Sequence, residues 1–219
     1  MTELYDERYW SRQFEVTQED LGTIAERLEG EGAPQELREI ALGLLRRHWE
    51  SGSEDHNEQA EGILLHYGDR ILSLLAAALQ FDPRFTGLED KWFLVEKLPQ
   101  LERESLQKVH RQLLQKPSSS VEEILSMLKE GQGTDQTLQR MALHTALRGS
   151  PGRFENIGTP GRPQWRARLP GFAQAEVTQY AYDPQTYEIL CRPGQRLSEK
   201  KANRLQELNL YGQVVTFAE

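Results

Sequence analysis

The stretch "RFENIGTPGRPQWRARLP", residues 153–170, decides how this chain is interpreted. An apolar start and an aromatic end flank two Gly/Pro turn signals, which is typical of two short strands joined by a loop. The stretch sets four arginines against the single acid Glu155: Arg153, Arg162, Arg166 and Arg168. It therefore predicts a basic β-ribbon in a chain whose net charge is -8.

Three helix patterns precede this ribbon, over residues 100–116, 117–133 and 134–149. In each pattern apolar residues recur at helical spacing, which predicts one buried face. Ser120 lies three residues before Glu123, the spacing of a capping box at a helix start. Three helices followed by a ribbon form a winged-helix arrangement, in which the ribbon packs on the helices because two strands alone are unstable.

The first half of the chain repeats this order. It contains three helix patterns and a ribbon pattern, over residues 17–32, 33–49, 68–85 and 84–99. Thr17 is an N-cap residue type, and Pro34 suits the first position of the second helix. The polar residues 51–60 indicate a loop or an extension of the third helix.

The ends of the two halves read "LAAALQFDPRFTGLEDKWFLVEKLP" and "LHTALRGSPGRFENIGTPGRPQWRARLP". Both contain a helix end, a proline, Arg-Phe, a turn-rich insert, a tryptophan and Leu-Pro. The longer insert of the second copy sits at a ribbon tip, where added length has a small free-energy cost. We interpret the pattern as a divergent internal duplication. Phe85, Trp92, Phe154 and Trp165 are expected to be core anchors rather than ligand stackers.

The segment "SSSVEEILSMLKEGQG", continued by "LQRMALHTALRGSPGRFENIGTPGRPQWRAR", resembles the HARE-HTH winged helix, the type found in the N-terminal domain of the bacterial RNA polymerase delta subunit. That family has an "S/T-hydrophobic-x-E-I-L" second helix and an "RF…G…W-x-L/R" wing. The resemblance covers about residues 100–170, with a divergent second copy at about 15–99. It implies association with nucleic acid or the transcription machinery.

The expected fold class is α+β and mainly helical, with tandem winged-helix domains and a small C-terminal αβ segment. We expect an N-terminal arm, an acidic first domain, a second domain with a basic wing, and a C-terminal β-hairpin plus helix, over residues 1–14, 15–99, 100–170 and 171–219. Residues 1–100 hold 21 acidic and 10 basic side chains, whereas residues 101–219 hold 13 and 16. A polyanion would therefore bind the second half.

In a winged helix the third helix commonly enters the major groove while the wing lies along the backbone or minor groove. We predict DNA contacts from the exposed face of helix 134–149 and from the wing, through Gln136, Gln139, Arg140, His144, Arg153, Arg162, Arg166 and Arg168. Gln and Arg suit base edges because they can form paired hydrogen bonds. The alternative is a solvated wing whose arginines pair with the acidic first half.

The third helix of the first half, "DRILSLLAAALQ", is almost wholly apolar, which indicates a buried helix or half of an interface. We expect this domain to assemble with itself or with a protein partner. The chain is thus predicted to be a cytoplasmic DNA-binding protein of transcription regulation. The alternative is a protein-interaction adaptor of a polymerase-associated or chromosome-organising complex. No enzyme activity, cofactor, metal site or membrane segment is expected, because the sequence shows no motif for one.

Overall fold

The structure is a computed structural model that describes residues 14–47, 55–128, 135–159 and 161–217. It is an α+β protein whose sheets are small and antiparallel. The chain divides into two compact units, residues 1–99 (unit 1) and 100–219 (unit 2). The predicted N-terminal arm falls almost entirely outside the described residues.

The elements of unit 1 are α1 (Gln18–Glu31), β1 (Gln35–Glu36), α2 (Leu37–Arg47), α3 (Asp55–Phe81), β2 (Phe85–Leu88) and β3 (Lys91–Leu94). Thr17 and Asp20 form a capping box at the start of α1, as the N-cap prediction requires. The three helices pack their apolar faces together with Phe85 and Trp92 from the ribbon. Strand β3 lies in the centre of the sheet, between β1 and β2.

In unit 1 the start of the second helix needs correction, and for the described part of the polar segment the helix extension is the alternative that is confirmed. Helix α2 begins at Leu37 rather than beside Pro34, because Gln35 and Glu36 pair with β3 and close one edge of the sheet. Helix α3 begins at Asp55, so the polar segment that follows residue 54 extends this helix instead of forming a loop. The later start of α2 depends on a pairing partner that the local pattern does not reveal.

Within α3, the stretch Glu58–Phe81 is long and apolar enough to cross a membrane by length and composition alone. Its large side chains Ile71, Leu75 and Leu79 are fully buried in the core of unit 1. The core helix of a folded domain passes the same test, and this packing accounts for the buried part of the apolar sequence of α3.

The elements of unit 2 up to residue 167 are α4 (Arg103–Leu113), β4 (Ser119–Ser120), α5 (Val121–Leu128), α6 (Gln136–Arg148), β5 (Phe154–Asn156) and β6 (Gln164–Ala167). Their order repeats that of unit 1, and β6 lies between β4 and β5 as β3 lies between β1 and β2. The predicted capping box is present, because the Ser120 amide donates to Glu123 and the Glu123 amide donates to the Ser120 hydroxyl.

The tryptophans occupy equivalent places in the two units. Trp92 pairs with Gln35 of β1 and Gly87 of β2, whereas Trp165 pairs with Ser119 of β4 and Asn156 of β5. Both indole rings are buried in the core of their own unit. A Cβ on Gly87 would lie 2.8 Å from the Trp92 ring, so a glycine is needed where that ring crosses the neighbouring strand.

The rest of unit 2 contains β7 (Ala175–Val177), β8 (Ala181–Tyr182), β9 (Ile189–Cys191), α7 (Glu199–Glu207), α8 (Tyr211–Val214) and β10 (Val215–Phe217). Strands β8 and β9 form a hairpin, while β10 returns to pair with β7. Ser198 caps α7 by accepting the Lys201 amide. These elements bury their own apolar cluster, which includes Val177, Leu205 and Val215.

Candidate nucleic-acid interface

The wing of unit 2, residues 153–168, is built on the β5–β6 ribbon, where Glu155 and Arg166 are direct cross-strand partners. Facing residues of an antiparallel pair project on the same side of the sheet, so these two side chains meet. The Arg166 Nε and Nη2 atoms lie 2.8 and 2.7 Å from Glu155 Oε2. Arg168 Nη2 lies 3.6 Å from Glu155 Oε1.

Glu155 therefore pairs with two guanidinium groups at once. Its hydrogen bond from Arg166 holds the pKa of the carboxyl below the usual range, with Arg166 and Arg168 adding attraction through charge. Both arginines remain half-exposed. One carboxylate cannot neutralise two guanidinium groups, so this face of the wing keeps a positive charge that solvent and ligands can reach.

The wing tip is folded back on itself around Asn156. Its Oδ1 atom accepts the amides of Gly158 and Gln164, at 2.9 and 3.1 Å. A Cβ on Gly158 would clash with the Arg162 carbonyl and lie 2.5 Å from the Gln164 amide nitrogen, so only glycine fits there. The tip presents Arg162, which is exposed and has no ion-pair partner among the described residues.

Arg153 lies at the base of the wing and contacts the C-terminal strand. Its guanidinium carbon lies 5.4 Å from the ring centroid of Phe217 in β10, in a cation–π contact. The side chain is half-buried, so it ties the base of the wing to the C-terminal strand. Its charge adds to the potential of the wing, but its guanidinium group already contacts an aromatic ring.

Helix α6 exposes less than the sequence pattern predicts. Of the residues expected to face DNA, Gln136 is exposed, and Gln139 and Arg140 are partly exposed. Arg140 Nη2 pairs with Glu122 Oε1 of α5 at 2.5 Å. The helix offers a polar surface at its N-terminal turn, and Arg140 is already engaged within unit 2.

The prediction that His144 faces DNA is wrong. His144 is buried, with its ring 5.5 Å from that of Trp165 in an edge-on contact. Burial lowers its pKa to about 4, and the nearby Arg148 charge acts in the same direction. The whole run Met141–His144 is buried, so this part of α6 packs on more than one face. Arg148, exposed in the last turn, is a basic residue that the sequence interpretation omitted although its position is visible in the sequence.

The described residues contain no group of three or more His, Cys, Asp or Glu side chains placed to hold a metal ion. Cys191 is buried, and burial raises the pKa of its thiol, which disfavours the reactive thiolate.

Comparisons with the models of known protein families, with curated protein sequences and with solved structures give no match.

Proposed function

We propose that the chain is a DNA-binding protein with two winged-helix units, the second of the HARE-HTH type, and that it acts in transcription regulation. The observation that carries the proposal is the arginine surface of the wing: Arg162 at the tip and the Arg166–Glu155–Arg168 cluster on the ribbon. The repeated element order, with a sheet whose last strand is central, supports the winged-helix interpretation.

In this proposal the wing contacts the DNA phosphates, and the start of α6 faces the DNA bases. Guanidinium groups suit phosphate because their planar donors bind two oxygens at once. With Arg140 held by Glu122 and His144 buried, α6 has few side chains for reading bases. Phosphate contacts position a protein without reading sequence, so we expect modest sequence specificity.

Fluorescence anisotropy with a short DNA duplex tests the proposal at two salt concentrations. Three arginine–phosphate contacts give a slope of log K against log salt of about -2.7, which is roughly a fortyfold loss of affinity between 50 and 200 mM salt. Arg162→Glu is expected to weaken binding and to reduce that slope by about one.

Lys91→Glu is the matched control, because it makes the same change of charge on the ribbon of unit 1. It should leave duplex affinity nearly unchanged. Equal losses from Arg162→Glu and Lys91→Glu would show a response to net charge alone and would reject the wing as the contact. Absence of duplex binding at 50 mM salt would reject the proposal outright.

Association of unit 1 with itself or with a protein partner stays a prediction. Helix α3 buries Ile71, Leu75 and Leu79, and its exposed large apolar side chains Leu65 and Phe81 are sixteen residues apart. At 1.5 Å per residue they lie about 24 Å apart along the helix. These two large side chains therefore cannot form one contact point on their own.

A further inference from the structure

The β8–β9 hairpin carries an unusual share of exposed apolar surface. Four large apolar side chains in or next to it are exposed: Tyr180 (51%), Tyr182 (49%), Tyr187 (81%) and Ile189 (45%). Only four other large apolar side chains are exposed in the part of the chain that the structure describes. Exposed apolar groups that cluster in this way mark a binding surface more often than isolated ones do.

Three of these side chains form one continuous platform, which we call the tyrosine platform: Tyr180, Tyr182 and Ile189. Tyr182 faces Ile189 across the hairpin, so both project on the same side. The Tyr180 ring stacks beside that of Tyr182, with 6.3 Å between centroids and 21° between planes. Two nearly parallel, half-exposed rings offer flat faces to a flat ligand.

The turn of the hairpin is held rigidly by Asp183. Its carboxylate accepts the amides of Gln185 and Thr186 and pairs with the Arg204 guanidinium at 2.8 Å. The hydrogen bond from Arg204 keeps the pKa of Asp183 low, so this anchor is charged at neutral pH. The backbone of the turn is thus tied to α7, and a preset backbone reduces the entropy lost on binding.

Cations lie next to the platform. A groove of about 460 Å³ runs along β9, and it is lined by Ile189 of the platform together with Arg192 and Lys201. Neither cation has an ion-pair partner among the described residues. Glu188 is the one carboxylate of the hairpin that no cation neutralises within the described chain.

We propose that the tyrosine platform and the groove cations bind single-stranded DNA. Flat aromatic faces beside unpaired cations suit a polyanion that carries accessible bases, because bases stack on aromatic rings while the backbone follows positive charge. A duplex keeps its bases stacked on one another and offers no such faces. This site uses none of the wing residues, so it goes beyond the duplex binding proposed above.

Anisotropy with a fluorescein-labelled oligothymidylate of about 15 nucleotides tests this site in the full chain. The pair Tyr180→Ala with Tyr182→Ala removes both rings and is expected to weaken binding by about tenfold or more. The pair Tyr180→Phe with Tyr182→Phe keeps both rings and should stay within about twofold of the native chain. Glu188→Gln should tighten binding, because it removes a repelling charge.

The second part of the experiment measures duplex binding by the tyrosine variants and oligothymidylate binding by Arg162→Glu. Loss of oligothymidylate binding in the alanine pair, with duplex binding kept, supports the platform. Equal affinity of the alanine and phenylalanine pairs for oligothymidylate, or no binding by the native chain, overturns it and leaves the tyrosines as a surface for another class of ligand. Loss of strand binding in Arg162→Glu alone would place the strand on the wing and would also overturn it. Because the duplex is measured separately, failure of the platform and failure of the wing are distinguishable.

Discussion

Replacement of Gly158 by alanine tests how the wing tip is built. A Cβ at this position would lie 2.5 Å from the Gln164 amide nitrogen, whereas ordinary contact begins near 3.4 Å. The backbone must therefore open by at least about 0.9 Å, because the Arg162 carbonyl lies closer still, and the obstacle is main chain rather than a side chain that can rotate. An exposed tip can relieve such a clash by opening.

Opening of the tip breaks identifiable hydrogen bonds. The Ile157 amide donates to the Gln164 carbonyl at 2.8 Å, and the Gln164 amide donates to Asn156 Oδ1 at 3.1 Å. At about 1 kcal/mol for each bond, Gly158→Ala should destabilise the closed tip by about 2 kcal/mol. That corresponds to roughly a thirtyfold increase in hydrogen exchange at the Ile157 amide.

Gly161→Ala is the matched control, since a Cβ there meets no atom within 4 Å. Amide exchange by NMR and duplex affinity by anisotropy are measured on both variants. We expect fast exchange at Ile157 and weaker duplex binding in Gly158→Ala, because Arg162 loses its position, and near-native values in Gly161→Ala. Identical exchange rates in the two variants would refute this account of the tip.

Three further predictions concern stability. The free energy of unfolding of unit 2 should fall by up to about 3 kcal/mol as the pH falls from 6.5 towards 4, because the unfolded chain takes up a proton at the usual His pKa of 6.5 whereas buried His144 has a pKa of about 4. Urea titrations give this free energy at each pH for the native chain and for His144→Phe, and its slope against pH should differ between the two. Parallel curves would contradict the assignment. Trp165→Ala should lower the free energy of unfolding by about 3–5 kcal/mol and remove the protection of amides in unit 2 against hydrogen exchange, and Trp92→Ala should do the same in unit 1. A loss below 1 kcal/mol in either variant would count against the equivalence of the two ribbons. Thr17→Ala should lower the free energy of unfolding by about 1 kcal/mol because it removes the capping box of α1, whereas Thr17→Ser should keep most of that stability. If Thr17→Ala had the same unfolding midpoint as the native chain, the cap would contribute nothing.

Local interactions explain which parts of the fold the sequence could predict. The caps at Thr17 and Ser120 join residues three positions apart, so the spacing alone identifies them. The ribbon aromatics could be identified because the two halves repeat the same order around Trp92 and Trp165. Strand β1 was missed because its two residues are defined only by their pairing with β3.

The candidate site likewise contains some features that the sequence predicts and others that it does not. The arginines of the wing and the lone acid Glu155 are visible as a composition, and their cross-strand pairing follows from the ribbon. The burial of His144 is not visible, because four consecutive buried residues on α6 exceed the one-sided pattern of an amphipathic helix. The contact of Arg153 with Phe217 joins positions far apart in the chain, which no local pattern reveals.

An NMR titration of the isotope-labelled chain with a short DNA duplex tests the central claim most directly. The proposal predicts chemical-shift changes at the amides and arginine side chains of residues 155–168, extending to Gln136 at the start of α6. Shift changes confined to unit 1, or a wing whose signals do not move at saturating duplex, would contradict it.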